Sequence, residues 1–589
     1  MSLRQSRSNK GTSSNKRAPK ASKKGRAQPP QGASPQSSIT SARALIIALL
    51  GQKLGLEPDE IDNDSSFFSF GLTSLLLEEM RMALACHFGP MEATVLFQYP
   101  NLAKLSQHLG TLEQTGNSET DATSPSSANP TCADDSTGNN DLADERVADA
   151  DAETEAPLTT GYKIAVVGMA GSFPKAVNLA TFWDNLIHGR DCVTEIPPQR
   201  WLPPKTDQPP LAKVFHGGFL DDIQFFDPLF FNLSPKEAEH MDPQQKLFLQ
   251  TAWETMEDAG YAHPARRKQE LIGTFVGVTW HEFSRYSHEQ QSQKQPFGPG
   301  SLYWSIANRV SYFLDLKGPS MAIDTACSSS LVAIHQACRS ILDGDCSMAL
   351  VGGINLNLHP AKYEWLHRSG FLARDGRCKP FSLKGDGYVP SEAVAGVLLR
   401  PLEAAVANRD WVYGIIHGSA TNHGGKATGY TVPNPTAHAR LIKQALQRAQ
   451  VMPSAMGYVE CHGTGTALGD PIEIKGLSLA YGKGLAAGSI PIGSVKANMG
   501  HTEAAAGIAG LLKLLLCFQH ATLPGIIHLD QLSDKIPFAE SPFKPNAQAI
   551  NWPRDKQLAG LSSFGAGGTN AHLIVGAPPR LKSPIHLEY

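Results

Sequence analysis

Residues 111–157 hold almost no large apolar side chain, yet they carry Asp134, Asp135, Asp141, Asp144, Glu145, Asp149, Asp151, Glu153 and Glu155. Such a stretch buries too little surface to offset the entropy of ordering it, so it divides the chain into two folding units. The first 36 residues have the opposite sign, with Arg4, Arg7, Lys10, Lys16, Arg17, Lys20, Lys23, Lys24 and Arg26 and no acid. The expected organisation is a disordered basic arm (1–37), a small domain (38–110), a disordered acidic linker (111–160), a large domain (161–577) and a tail (578–589). The arm lacks the apolar core of a secretory signal, and it reads as a solvated tail rather than a nucleic-acid contact. No apolar run of about 20 residues occurs, so no membrane span is expected. The nine cysteines are scattered without a Cys-x-x-Cys pair. That pattern argues for a reducing compartment, the cytoplasm, with no disulfide framework and no structural metal.

In the small region, Leu45, Ile46, Leu49 and Leu50 share one face of a helix over 42–54. Leu75, Leu76, Met80 and Leu84 share a face of a second over 74–87, and Leu102, Leu105 and Leu109 mark a third after Pro100-Asn101. This predicts a small helical bundle. Ser74 starts its helix just after Gly71. As an N-cap it needs no further role; as a modification site it would hold a phosphodiester in the positive field of the helix N-terminus.

The large region opens with the buried-strand run Lys163–Met169. Strand-like runs (272–278, 348–351, 394–399) then alternate with helical ones (243–259, 331–342, 438–449), which implies an α/β architecture with covered sheets. Gly565-Ala566-Gly567-Gly568 lacks the spacing of a dinucleotide loop, and that reading is rejected.

A strand-like run from Met321 to Ala326 delivers Cys327 to a turn of small residues, and a helical segment follows at once. The sulfur would then sit at a helix N-terminus, where the dipole is expected to favour the thiolate that attacks a thioester carbonyl. The plainer reading is a buried small hydrophobe. His462, in His462-Gly463-Thr464-Gly465-Thr466, and His501, five residues after Lys496, each lie just past a strand-like run. Active-site groups collect at such strand ends in open α/β folds. A cysteine with two loop-borne imidazoles suits thioester chemistry: Cys327 takes the acyl group, and the histidines donate to the oxygen that gains charge as a second thioester loses CO2.

Gly71-Leu72-Thr73-Ser74-Leu75, with Phe97-Gln98-Tyr99-Pro100, resembles the acyl carrier domains of modular polyketide synthases, Thr73 standing where that family has an acid. The resemblance implies a covalent 4'-phosphopantetheine on Ser74, attached by a phosphopantetheinyl transferase. Asp324–Ser330, His462–Thr466 and Lys496–His501 resemble the three signatures of β-ketoacyl synthases. Met241–Gln245, Gly376–Phe381, Gly469–Glu473 and Ser563–His572 extend the match across the large region. That resemblance implies a thiolase-like fold, two related βα halves stacked as five αβαβα layers and acting as a homodimer, preceded by a four-helix carrier bundle. It further implies that Cys327 is the nucleophile, that His462 and His501 drive decarboxylation, and that Lys496 organises the site. Thr464 and Thr466 would hold the pantetheine arm, and the N–H groups of Cys327 and Ala566 would form the oxyanion hole.

Tyr303–Tyr312 and His423–Pro435 are similar to synthases whose acyltransferase acts in trans. No Gly-x-Ser-x-Gly motif occurs, so a separate acyltransferase, other carrier proteins and neighbouring synthase modules are the expected partners. Ala566 stands where many relatives carry a phenylalanine. Val389-Pro390-Ser391-Glu392-Ala393 replaces their Gly-Glu-Gly. The expected activity is polyketide chain elongation by decarboxylative Claisen condensation. The alternatives are a non-elongating synthase that moves acyl chains between carriers and a non-catalytic carrier scaffold. A thiolase would need a second acid/base cysteine, and neither Cys461 nor Cys517 sits in a suitable motif.

Overall fold

The computed structural model describes residues 35–54, 57–70, 74–89, 91, 95–115, 163–198, 200–201, 215–285, 301–427, 429–482 and 484–579. Most of the expected arm, linker and tail, together with Gly71–Thr73, lies outside the described residues.

Among the described residues the small domain has four α-helices: α1 (Pro35–Leu54), α2 (Ser74–Phe88), α3 (Val95–Gln98) and α4 (Leu102–Thr115). Helix α1 begins seven residues before the expected start at Ala42, and α4 runs past the expected boundary at 110. The apolar spacing explains the bundle. Ala42, Ile46 and Leu50 of α1, Leu77, Met80 and Leu84 of α2, and Leu102, Leu105 and Leu109 of α4 close around Phe67. Each fully buried leucine or isoleucine contributes about 1.5–3 kcal/mol.

Eleven strands of the large domain form one hydrogen-bonded sheet. In chain order they are β1 (Ile164–Ser172), β2 (Ile272–Gly277), β3 (Ser320–Ile323), β4 (Met348–Asn355), β5 (Ala393–Pro401), β6 (Gly414–His423), β7 (Tyr458–Glu460), β8 (Ile490–Gly493), β9 (Phe543–Pro545), β10 (Leu558–Phe564) and β11 (Thr569–Gly576). Their spatial order is β9-β8-β7-β10-β11-β6-β1-β5-β4-β2-β3. From the central antiparallel pair β1–β6, both directions read alike. On one side β1, β5 and β4 pair antiparallel, then β4, β2 and β3 parallel. On the other, β6, β11 and β10 pair antiparallel, then β10, β7 and β8 parallel. The large domain is built from two copies of one βα pattern, as the sequence resemblance implied, with β9 added in parallel beyond β8.

Helices complete the layers. Helices α5 (Ser329–Leu342) and α6 (Ala506–His520) follow β3 and β8 in corresponding positions and pack together at the centre. Both are buried nearly all round, which marks an interior helix. Their approach needs Gly507, where a Cβ would lie 2.7 Å from the Leu331 Cβ. Outer helices cover the far faces, Pro243–Asp258 on the first half and Pro435–Ala449 on the second. Apolar cores fill the spaces between layers: the central one around α5 and α6, and one under each outer layer. The five layers bring the ends of β3, β7 and β8 and the β10–β11 turn to one place.

Candidate active site

Cys327 sits in a turn of 3-10 helix (Ala326–Ser328) between β3 and α5. Ala326 adopts φ 55°, a left-handed conformation that costs a residue with a Cβ about 1 kcal/mol or more. Hydrogen bonds over-determine the turn. The Ala326 N–H donates to Asp324 Oδ1 at 3.1 Å, and Ser329 Oγ accepts from the Thr325 N–H at 2.9 Å. Ser563 Oγ, from β10, donates to the Cys327 carbonyl at 2.8 Å.

Six of the residues singled out in the sequence, Cys327, His462, His501, Thr464, Thr466 and Ala566, line one cavity of about 120 Å³. A larger open cavity, about 540 Å³ around Trp183 and His520, contains none of them. Ser74 belongs to the other domain, as the first residue of the 15-residue helix α2.

Cys327 is half-buried at the cavity wall. Burial first, and then the Glu503 carboxylate, push its thiol up to about 12, while Lys496 and the N–H groups of Ala566 and of Cys327 itself pull it down. Burial thus opposes the thiolate that the helix N-terminus was expected to favour. The two N–H groups that act on the sulfur are the pair implied for the oxyanion hole. His423 supports the turn that carries Ala566, since its Nδ1 accepts from the Gly425 N–H (3.0 Å) and its Nε2 donates to the Gly567 carbonyl (2.9 Å).

Both site histidines have their Nδ1 occupied as an acceptor. His501 Nδ1 accepts from the Glu503 N–H at 3.1 Å, and His462 Nδ1 accepts from the Phe564 N–H at 3.4 Å. In a neutral imidazole the proton must then lie on Nε2. Burial, followed by the nearby Lys496 cation, holds both rings well below the ordinary histidine value. They are neutral Nε2–H donors, with ring centroids 5.3 Å apart at 82°. His501 Nε2 is buried and without a partner among the described residues.

Lys496 does not line the cavity. It is buried beside it, its pKa lowered by burial against the opposing pull of Glu460 and Glu473. Thr464 and Thr466 stand with their hydroxyls 3.2 Å apart, and Thr466 Oγ1 also accepts from the Gly469 N–H.

Several supporting residues were not read from the sequence. Glu473 accepts from the His462 N–H (2.7 Å) and the Gly463 N–H (2.8 Å), and Asp470 from those of Phe381 (2.7 Å) and Gly465 (3.2 Å). These two carboxylates shape the histidine loop. The signal was present in Gly469–Glu473, but spacing alone does not show which N–H groups an acid will meet. The Val389–Ala393 departure also has a place. It runs between Gly218 and His501, with the His501 N–H donating to Val389 O (2.7 Å) and the Ser391 N–H to His501 O (2.9 Å). Glu392 is ion-paired with Arg200 at 2.9 Å and accepts from the Leu220 and Asn357 N–H groups. The segment braces the His501 backbone on both sides.

Residues 162–405 match the family described as beta-ketoacyl synthase, N-terminal domain, and 413–530 its C-terminal domain; 44–109 match the phosphopantetheine attachment site. Polyketide synthase ThaG of Burkholderia thailandensis is 42% identical over 579 residues, covering 93% of this chain and 10% of that protein. Polyketide synthase PksL of Bacillus subtilis is 40% identical over 564 residues, covering 90% and 12%. The chain thus spans about a tenth of the length of these curated relatives. Among solved structures, the oxazolomycin ketosynthase domain OzmH KS7 of Streptomyces albus superposes with a TM-score of 0.69 at 46% identity, covering 72% of this chain and 76% of that one. The ketosynthase from module 6 of the bacillaene synthase of Bacillus subtilis gives 0.65 at 40% identity, covering 71% and 72%.

Proposed function

The chain belongs to the β-ketoacyl synthase family, among the polyketide synthases, and on that footing we propose that it lengthens acyl chains by decarboxylative Claisen condensation at Cys327. The observation that carries this reading is the pair of neutral Nε2–H donors, His462 and His501, in the cavity that also holds the cysteine.

In the first step the Cys327 sulfur attacks an acyl thioester. The carbon–sulfur bond to the donor breaks and the departing thiolate takes the Cys327 proton, leaving acyl-Cys327 and a free thiol. Neither imidazole offers a free Nδ1 lone pair, so the proton has no better acceptor in the site. In the second step a malonyl thioester loses CO2. The electrons of the broken C–C bond move onto its thioester oxygen, and Nε2–H of His462 and of His501 donate to that oxygen as its charge grows. The enolate carbon attacks the acyl-Cys327 carbonyl, whose oxyanion meets the N–H groups of Cys327 and Ala566. Collapse expels the Cys327 thiolate, which takes a proton from solvent, and leaves a β-ketoacyl thioester two carbons longer. Lys496 keeps the two histidines neutral, and Thr464 and Thr466 supply hydroxyls to the incoming pantetheine arm.

The small domain is a phosphopantetheine attachment domain. Ser74 fits the group, because the N-terminus of a 15-residue helix favours a phosphodiester; the group supplies the thiol that carries acyl chains. We assign its attachment to a phosphopantetheinyl transferase, loading of the extender unit to a separate acyltransferase, and acyl exchange to other carriers and neighbouring modules. The domain limits, with 38–110 widened to 35–115 by the ends of α1 and α4 and with 161–577 kept, are part of this reading, as is a cytoplasmic setting in which Cys327 stays reduced. A homodimer is supported by β3, whose outer edge pairs with no strand among the described residues, and by the exposed Met321 and Tyr312 beside it. No helix among the described residues is long and apolar enough to cross a membrane. Incubation with an acyl thioester and a labelled malonyl thioester tests the central step: CO2 release with a product two carbons longer is expected, and acyl transfer without CO2 would replace this reading by transacylation.

A further inference from the structure

Next to His501 lies a buried ion pair that the reaction does not use. Lys362 and Glu503 are 2% and 3% exposed, with Nζ 2.5 Å from Oε2. Lys362 also bonds Asn357 Oδ1 at 2.7 Å and stands 4.8 Å over the Trp280 ring. Glu503 meets His501 twice. Its own N–H holds Nδ1, and its Oε1 accepts from the Tyr388 hydroxyl at 3.2 Å while the Tyr388 ring packs edge-on to His501 at 5.0 Å. Glu503 does this at φ 46°, a conformation that a residue with a side chain keeps only when anchored. A buried ion pair is seldom a net gain in stability over apolar packing, so stability alone does not account for this one.

We propose that Lys362 and Glu503 are positioning residues for His501: their pairing anchors the backbone N–H that fixes the imidazole as an Nε2–H donor, and their opposite charges cancel at His501 and Cys327. The inference rests on the donor role given to His501 above. The other groups facing this centre are Lys496, His462, Tyr388 and Cys378, with Glu282 behind Lys362. Of the pair, Lys362 lowers the His501 pKa and Glu503 raises that of Cys327. Removing one partner leaves the other's charge uncompensated beside both groups and should disturb them in a direction set by that charge, whereas removing both should not.

The test uses the full chain as Lys362→Met, Glu503→Gln and the double variant. Alkylation of Cys327 by iodoacetamide against pH, read by peptide mass, needs no substrate; CO2 release from a malonyl thioester against pH reads His501. Glu503→Gln is expected to move the alkylation profile to lower pH. Lys362→Met is expected to move it to higher pH and to cut CO2 release by about 10-fold near pH 6 but by less than about 3-fold near pH 8. The double variant is expected to return both profiles close to wild type. Equal losses at every pH, or a double variant worse than either single one, would overturn the proposal. Should Lys362→Met not fold, the alkylation profile of Glu503→Gln decides, and an unmoved profile is the contrary result. If wild type releases no CO2, the condensation reading fails, while alkylation still judges the ion pair.

Discussion

In the first half of the large domain, β3 ends at Ile323 and residues 324–328 turn the chain through Cys327 into a central helix. In the second half, β8 ends at Gly493 and the longer connection 494–505 passes through Lys496, His501 and Glu503 before the corresponding helix. The neighbouring strands diverge in the same way. Two residues past β2 stands Thr279, whose hydroxyl donates to Asp324 at 2.9 Å and so supports the cysteine turn. Two residues past β7 stands His462. On the proposed function, one βα pattern used twice places the nucleophile and the turn that carries it in one half, and the decarboxylating donors in the other, with Ser563 and Ala566 of the second half reaching across to the cysteine. The short, strained connection immobilises a sulfur, whereas the long one makes room for an imidazole and the charges that tune it.

This division of labour can be broken from either side. The largest effect is expected of Cys327→Ala, with acylation measured by intact mass falling at least about 10³-fold. Next, His462→Ala should leave acylation within about 3-fold while CO2 release falls about 10²–10³-fold; equal loss of both steps would erase the division. Acid should expose the same asymmetry in stability. His335, in the first half, is held down to about 4 by burial; in the second, His417 and His438 are held to about 4, His572 to about 3, and His462 and His501 well below the usual range. Because the folded pKa lies below the ordinary 6.5, the unfolded chain binds the extra protons. Stability is then lost as pH falls from about 6.5 toward 4, by up to about 1.4 kcal/mol per pH unit for each group. Hydrogen exchange should show the second half opening first. The smallest effect is expected of Ala566→Phe, which should slow acylation by a bulky acyl chain about 10-fold and leave a short one unchanged; equal rates for all chains would show that this side chain does not gate the cavity.

Much of the site was legible because its chemistry lies in short contiguous motifs. Cys327, His462, His501 and Ala566 sit in glycine- or serine-rich turns at strand ends, and alternating apolar runs placed those strands and helices. Lys362 and Glu503 were illegible, since they are far apart in the chain and meet only through packing. Glu473 and Asp470 were visible as letters, but their role depends on which main-chain N–H groups the loop turns toward them. The rise of the Cys327 thiol was illegible for a related reason: a helix N-terminus is a local signal, while burial and the Glu503 charge are tertiary. The doubled strand pattern arises from pairings between distant segments, and only a resemblance hinted at it.

The central claim is that one half holds the acyl group while the other makes the carbanion that attacks it. The most direct measurement is a single turnover of the acylated chain with malonyl thioester labelled at its free carboxyl, following CO2 and the mass at Cys327 together. The account predicts that label leaves as CO2 at the rate at which Cys327 loses its acyl group, with a product two carbons longer, and that His462→Ala stops both after acylation. Departure of the acyl chain from Cys327 at an undiminished rate in His462→Ala, unlengthened and without CO2, would contradict it.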